Sequence, residues 1–380
     1  MDHFEPKESI VTADLRADRD WLHDALSNLL RDGFAAVPLQ RASDTADIAG
    51  LIQNSVRAFL DFAAAGAFVQ PDFRDDRTGQ AGVVVDGGEG DGSVNELRSH
   101  VVVPWSVERE HPLSGYWPYF YSASASNPEI GGENSVRTSA RVGLQIALEK
   151  AAALMIRRLQ RLTYALFCEI EALLALPTGS ISDPIRYGEG ILRCHYYPPL
   201  ASGPTRLMTV KCSDRAVTHT VREVAPRSYQ TWVSPHADIG LWTWQIAASD
   251  ARLAFDRSGG PCYPQDENVI VGNVCTYLSE CCPNLFAPVH WVDLSRPGPD
   301  RRWSIAYFAH ARPAVRMKDV PAGERLYRDL AALGYGGQED VKRVREMLAS
   351  PELSDEAMLK RIGLFEENRL HARPHTMDAD

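Results

Sequence analysis

Between residues 189 and 309 the chain repeats one kind of segment: ILRCHYY, SYQTWV, IGLWTWQI, RLAF, VIVGNV, APVHWV and RWSIAYFA. Each is short, apolar or alternating, and rich in Val, Ile, Trp and Tyr. Clusters of Pro, Gly and Asp separate them. Side chains that alternate with period two between turn-forming residues suit pleated strands, so this region is predicted to be a β-sandwich or barrel.

The flanks have a different texture. Residues 18–32 place Trp21, Leu22, Leu26, Leu29 and Leu30 at helical spacing, stopped by Gly33, and Phe34 to Leu39 reads as a short strand. A second helix is predicted over 44–64, with Ile48, Leu51, Ile52, Val56 and Leu60 on one stripe. Pro71 to Gly92 and the aromatic, Pro- and Gly-rich block at 111–134 read as loops. The longest helical pattern spans about 134–176, with Val142, Ile146, Leu154, Ile156, Leu159, Leu162, Leu166 and Ile170 as its apolar side, and 321–370 returns to helical patterning. With no internal repeat and no clear linker, the expectation is one domain over 1–380. It comprises a helix-rich part (1–180), a β core (185–312) and a helical tail (313–380).

Composition narrows the partners. A chain of 380 residues with 44% hydrophobic and 24% charged residues has ample material for a core, and its net charge of −10 disfavours nucleic acid and anionic membranes. Arg157, Arg158 and Arg161 read as a solvated helix face rather than a basic patch. No apolar stretch approaches the ~20 residues of a membrane span, and the acidic N-terminus lacks a signal-peptide layout, so a cytoplasmic location is expected. The expected partner is a small molecule, and the expected state a monomer or weak homo-oligomer. The seven cysteines, Cys168, Cys194, Cys212, Cys262, Cys275, Cys281 and Cys282, are odd in number and irregularly spaced, which favours free thiols.

The stretch SPHADIGLWTW (234–244) carries His236 and Asp238 two positions apart. By chance a chain like this holds about one H-x-D, so the triplet alone decides nothing. On a strand, however, both side chains share a face. His290, in APVHWV, is the histidine inside a strand-like run in the second half of the β region. Two imidazoles and a carboxylate with three open coordination positions form the arrangement of non-haem iron(II) oxygenases. Twelve positions on, Arg302 and Ser304 share a strand face and offer a fork and a hydroxyl to a carboxylate.

With these pieces in this order, the chain resembles the iron(II)/2-oxoglutarate-dependent dioxygenases of the isopenicillin N synthase-like group. The resemblance is carried by RCHYYPP (193–199), SPHADIGLWTW (234–244), VIVGNVCTYLSECCPNLFAPVHWV (269–292) and RRWSIAYF (301–308), and covers about 15–310. It implies a double-stranded β-helix (jelly-roll) core wrapped by helices. It further implies His236, Asp238 and His290 as ligands of Fe(II), and Arg302 and Ser304 on the distal carboxylate of 2-oxoglutarate. Tyr197 stands where the family places a further donor to that co-substrate. O₂ is the implied oxidant, and hydroxylation or desaturation of a small molecule, in specialised metabolism, the implied outcome. Asp238 argues against halogenation, because halogenating relatives lose this carboxylate.

The sequence departs from the family's pattern in places. His195 stands where many relatives carry Asn, and Cys275-Thr276 replaces a common Gly-Asp turn. The stretch from Pro199 to His236 is long, consistent with an extra hairpin over the pocket. By strand parity Trp242 and Trp244 share the interior face with His236 and Asp238, so they are expected beside substrate, with Arg193 and His195 as further substrate contacts. His219 is expected to be exposed and His100 to lie at the surface. Three alternatives stay open: an oxidase that grips a substrate carboxylate with Arg302 and Ser304, an ethylene-forming-type use of 2-oxoglutarate, and a binding module without turnover.

Overall fold

The computed structural model describes residues 19–349, except 40–42, 66–81, 85–93, 105–134, 187, 189, 213–214, 267–268, 313, 333–340, 343–344 and 347. The loop block 111–134 and most of the tail therefore lie outside the described residues. The chain begins with α1 (Arg19–Asp32), ended by Gly33 at φ 75°, and β1 (Phe34–Pro38). Then come α2 (Ser43–Ala64), β2 (Gly82–Val84), β3 (Val94–Glu96), β4 (Ser99–Pro104) and the long α3 (Ser135–Leu173). A short α4 (Ser182–Arg186) leads into β5 (Gly190–Tyr197), β6 (Thr205–Cys212), β7 (Arg215–Ala225), β8 (Ser228–Thr231), β9 (Trp242–Ala248), β10 (Leu253–Phe255) and β11 (Val269–Val274). The order closes with α5 (Thr276–Cys281), β12 (His290–Val292), β13 (Arg302–Ala309), the two-residue strands β14 (Arg316–Met317) and β15 (Val320–Pro321), and α6 (Ala322–Ala332).

Each of the seven strand-like segments contains a strand. A seven-stranded sheet runs β1-β11-β9-β13-β5-β4-β2, and opposite it stand a four-stranded sheet, β3-β8-β7-β6, and the pair β10-β12. The architecture is mainly antiparallel β with flanking helices, the jelly-roll plan. The long stretch before His236 is a hairpin of β6 and β7, in register from Thr205↔Arg222 to Cys212↔Arg215.

Helix α3 covers the outer face of the large sheet because its buried residues recur at helical spacing: Leu148, Ala152, Met155, Ile156, Leu159, Leu162, Leu166 and Ile170. Two residues assigned to apolar stripes point out instead. Leu154 is 55% exposed and Met155 takes the inward place; in α2, Leu60 is exposed while Phe59 and Phe62 are buried. The side chains of Val142 and Ile146 fall outside the described residues. Two further expectations change: β2 lies inside the predicted 71–92 loop, and the tail opens with a small β14–β15 hairpin before its helix. No described helix is long and apolar enough to cross a membrane, and all seven cysteines are free.

Candidate metal centre and its cavity

His236 is held by backbone before it is held by anything else. It forms an isolated antiparallel bridge with His290, with His236 N–H donating to the His290 carbonyl (3.1 Å) and the reverse bond at 2.9 Å. The bridge sets the two imidazoles side by side, ring centroids 4.4 Å apart. Asp238 follows on the same loop, where its carbonyl accepts from Thr276 N–H at the start of α5 (2.9 Å). Its carboxylate accepts from the Asn273 side chain of β11 (3.1 Å). One donor atom each from His236, Asp238 and His290 lies within 4.8 Å of the others.

The hydrogen bonds of the two rings test whether a cation fits. His236 Nδ1 lies 2.9 Å from the Ser234 carbonyl and His290 Nδ1 3.4 Å from the Pro288 carbonyl. A carbonyl only accepts, so each Nδ1 carries a proton, and the neutral form of each ring presents its lone pair at Nε2. Those lone pairs face the Asp238 carboxylate at 3.5 and 3.6 Å. Three electron-rich atoms converging this closely repel unless a cation or proton lies among them. The donor set, imidazole nitrogens plus a carboxylate oxygen, suits a divalent first-row metal.

The electrostatics agree. Burial alone would raise the Asp238 carboxyl, but His290, His236 and Asn273 together hold it well below the usual carboxylate range. Burial, aided by the neighbouring His236, lowers His290 to about 4 despite Asp238, so it stays neutral near pH 7. His236 is pulled down by burial but raised on balance by Asp238 and the Ser234 carbonyl. Glu96 supports the loop from β3, accepting the Ser234 N–H at 2.6 Å and lying 3.8 Å from Arg98.

The three groups open onto a cavity of about 720 Å³. One wall is the inner face of β5 and β13, paired Arg302↔Tyr197, Ser304↔His195 and Ala306↔Arg193. In the corner nearest the strand ends, Tyr197 Oη and Ser304 Oγ are hydrogen-bonded at 3.1 Å, and the Arg302 guanidinium lies over the Tyr197 ring at 5.0 Å. Arg302 Nε donates to Asp250 (3.0 Å), which fixes the fork. His195 also lines the cavity, its ring stacked 5.8 Å from that of Tyr197. The hairpin contributes Val210, Lys211 and Cys212, and the tail helix Leu326 and Ala332.

No family model matches the sequence, and no curated protein matches it. Solved structures do. A 2OG-Fe(II) oxygenase family protein from Caulobacter crescentus superposes with a TM-score of 0.57 at 17% identity, covering 84% of this chain and 96% of that one. A full-length Neurospora crassa protein, solved in complex with alpha-KG, gives 0.52 at 16%, covering 86% and 93%. JOX2, solved with 2OG, Fe and JA, gives 0.55 at 13%, covering 87% of each chain. The fold is that of the 2-oxoglutarate/Fe(II) oxygenases.

Within this oxygenase fold several expectations are corrected. Trp242 and Trp244 do not face the cavity. Trp244 Nε1 donates to Thr163 of α3 (2.8 Å), Trp242 packs edge-on against Phe167 at 6.0 Å, and both indoles sit over Gly272. Parity failed because 236–241 is not strand: Gly240, at φ 114°, turns the chain between the metal loop and β9 and resets the alternation. Gln245 lines the cavity instead. His219 is buried, 2% exposed, rather than on the surface, because β7 packs its inner side chains against the β10–β12 pair. His100 lies on β4 opposite His195 in register, and its side chain falls outside what is described.

Sequence reasoning did not single out Glu96, Arg98, Asn273 or His310. Asn273 was readable as the one polar residue in VIVGNV, and His310 as the next polar residue of the same parity after Arg302 and Ser304. Glu96 and Arg98 carried no local signal, because only the pairing of β3 with β8 brings them to the site.

Proposed function

We propose that this chain is an Fe(II)/2-oxoglutarate-dependent oxygenase that oxidises a small molecule. The carrying observation is the convergence of the His236 and His290 Nε2 atoms on the Asp238 carboxylate, at 3.5 and 3.6 Å, beside a cavity whose far corner holds Arg302, Ser304 and Tyr197. In this reading His236, Asp238 and His290 hold the iron. Arg302 and Ser304, with Tyr197, grip the distal carboxylate of 2-oxoglutarate, and the Asp250 contact aims the Arg302 fork. When bound, Fe(II) and 2-oxoglutarate supply oxygen activation through decarboxylation to succinate and CO₂. Asn273 keeps Asp238 oriented and ionised. The two Nδ1–H bonds to backbone carbonyls hold the imidazoles in the ligand tautomer. The order of RCHYYPP, HAD, distal His and RWS supports placing the chain near the isopenicillin N synthase-like group.

The test is succinate release by the iron-loaded protein with and without added 2-oxoglutarate. Succinate strictly dependent on 2-oxoglutarate and on Asp238 supports the reading. Oxygen uptake at full rate without 2-oxoglutarate would assign the Arg302 corner to a substrate carboxylate. Oxygen uptake surviving Asp238→Ala at unchanged iron content would refute the ligand set.

A further inference from the structure

We propose that a second cavity, walled by Arg222, Arg252 and Arg296, binds a small dianionic oxyanion, and that Asp250 couples it to the Arg302 corner so that each anion weakens the other. The site stands apart from the oxygenase reading, and the coupling rests on it.

This cavity, of about 340 Å³, lies between β7, the turn after β9 and the 294–300 segment that joins β12 to β13. Its lining brings together three guanidiniums and one carboxylate, that of the exposed Asp300. Arg222 Nη1 donates to the Gly203 carbonyl (2.7 Å) and Arg296 Nη1 to the Ala251 carbonyl (3.2 Å), both neutral acceptors. Neither arginine has a carboxylate partner among the described residues. The nearby Asp293 is taken up by Tyr263 and Ser295. Guanidiniums stay charged at any ordinary pH, so three of them around one recess repel until an anion enters.

Arg252 gives the recess a built floor. It is 6% exposed, its Cζ lies 4.6 Å from the centre of the Trp232 ring, and Gly298 is pressed so close that a Cβ there would meet Nη2 at 2.5 Å. Nε donates to Asp250 (3.0 Å) and Nη2 to the Pro299 carbonyl. Nη1 has no protein partner among the described residues and is not sealed from solvent. A guanidinium edge held this firmly suits an oxyanion, because little freedom is lost when the ligand binds.

Asp250 stands behind both sites. One of its oxygens accepts from Arg252 Nε and the other from Arg302 Nε, each at 3.0 Å, and none of the three side chains is more than 9% exposed. The rings under the two guanidiniums are neighbours as well: Arg302 lies over Tyr197, Arg252 over Trp232, and the ring centroids are 6.0 Å apart. One carboxylate therefore serves two guanidiniums. An anion that draws on Arg252 leaves Asp250 to lean on Arg302, which lowers the attraction left for a carboxylate in the co-substrate corner. The two anions also repel directly through a poorly screened wall. Both effects have the same sign, and linkage makes the weakening reciprocal.

The experiment uses anaerobic protein loaded with Fe(II). The visible charge-transfer band of the Fe(II)–2-oxoglutarate complex reads co-substrate affinity, and calorimetric titration with sulfate reads the second site, at ionic strength held constant with chloride. With 2-oxoglutarate saturating, sulfate is expected to bind saturably, and acetate at least about tenfold more weakly. Arg222→Gln and Arg296→Gln should each weaken sulfate about three- to thirtyfold, with 2-oxoglutarate affinity in sulfate-free buffer unchanged. Arg222→Lys, which keeps the charge and loses the fork, serves if Arg222→Gln does not fold and should lose less. Saturating sulfate should weaken 2-oxoglutarate about two- to tenfold and then level off, and 2-oxoglutarate should weaken sulfate by the same factor. No saturable sulfate binding, acetate binding as tightly as sulfate, or sulfate binding indifferent to both arginines would overturn the site. A weakening of 2-oxoglutarate that grows without limit and survives both Gln variants means plain competition at Arg302 and overturns the coupling, as does a factor of one. Absence of the band from the wild type refutes the oxygenase reading and the coupling with it, and sulfate titration of the iron-free protein and its variants then judges the site alone.

Discussion

The two faces of the large sheet are built from the same strands and do opposite things. On β5, Leu192 and Cys194 point to α3 while Arg193, His195 and Tyr197 line the cavity. On β13, Ile305, Tyr307 and Ala309 join the core while Arg302 and Ser304, with His310 just past the strand's end, face inward. The helix side is dry enough that burial raises both the Cys194 thiol and the Tyr307 hydroxyl, and no described atom satisfies Tyr307 Oη or Trp242 Nε1. The cavity side concentrates charge instead, with each ligand-ready group held by a second one: Asp238 by Asn273, Arg302 by Asp250, and His236 by the Ser234 carbonyl. One face holds the barrel together by shape, and the other holds polar groups in readiness at some cost in stability.

That division predicts which substitutions separate function from folding. The largest effect is expected on the cavity side: Asp238→Ala should bring bound iron and 2-oxoglutarate-dependent succinate release to background. Its iron-free unfolding midpoint should move less than that of any large core truncation. Metal analysis beside denaturant unfolding checks both halves.

On the helix side the pattern reverses. Trp244 is 1% exposed, and Trp244→Ala should cost about 3–5 kcal/mol in urea unfolding. The fraction that remains folded should still develop the co-substrate band. A variant that lost the band while staying fully folded would show that the two faces are not separable.

A pH series sharpens the comparison from a third direction. His219 and His310 are held at about 4 and about 3, mainly by burial. The unfolded chain therefore takes up their protons first. Their contribution is constant above about pH 6.5 and lowers stability as pH drops towards 4, by up to ~1.4 kcal/mol per pH unit for each histidine. Urea unfolding across that range should show the slope, and His219→Gln should remove its share without changing co-substrate binding.

The smallest effect is expected at the corner hydroxyl. Ser304→Ala deletes the partner of Tyr197 Oη and, in the proposed reading, one contact to the co-substrate, worth about 1 kcal/mol, or roughly fivefold in 2-oxoglutarate affinity. A change of a hundredfold would mean that Ser304 positions more than one bond.

Local pattern made the strands readable. ILRCHYY, VIVGNV and RWSIAYFA appear as β5, β11 and β13 because alternation and turn chemistry act over a few residues. The pairing of His236 and Asp238 with His290 was readable as types at spacings, as was the corner of Arg302, Ser304 and Tyr197. What misled was a single glycine. Trp242 and Trp244 would share the face of Asp238 only if strand geometry ran unbroken through Gly240, and its positive φ breaks it. The β6–β7 hairpin was foreseen, yet His219 was placed outside, because one strand's alternation cannot say which face another sheet will cover.

The sequence by itself therefore determined the strand-rich core, the long covering helix and the chemical types able to bind a metal and a dicarboxylate, all set by neighbours in the chain. Tertiary structure alone decided that His236 bridges His290, that Glu96 comes from a distant strand to brace the metal loop, and that Arg193 and His310 end on one wall. Those outcomes depend on strand register and on one left-handed turn, and both are settled only when the whole sheet pairs.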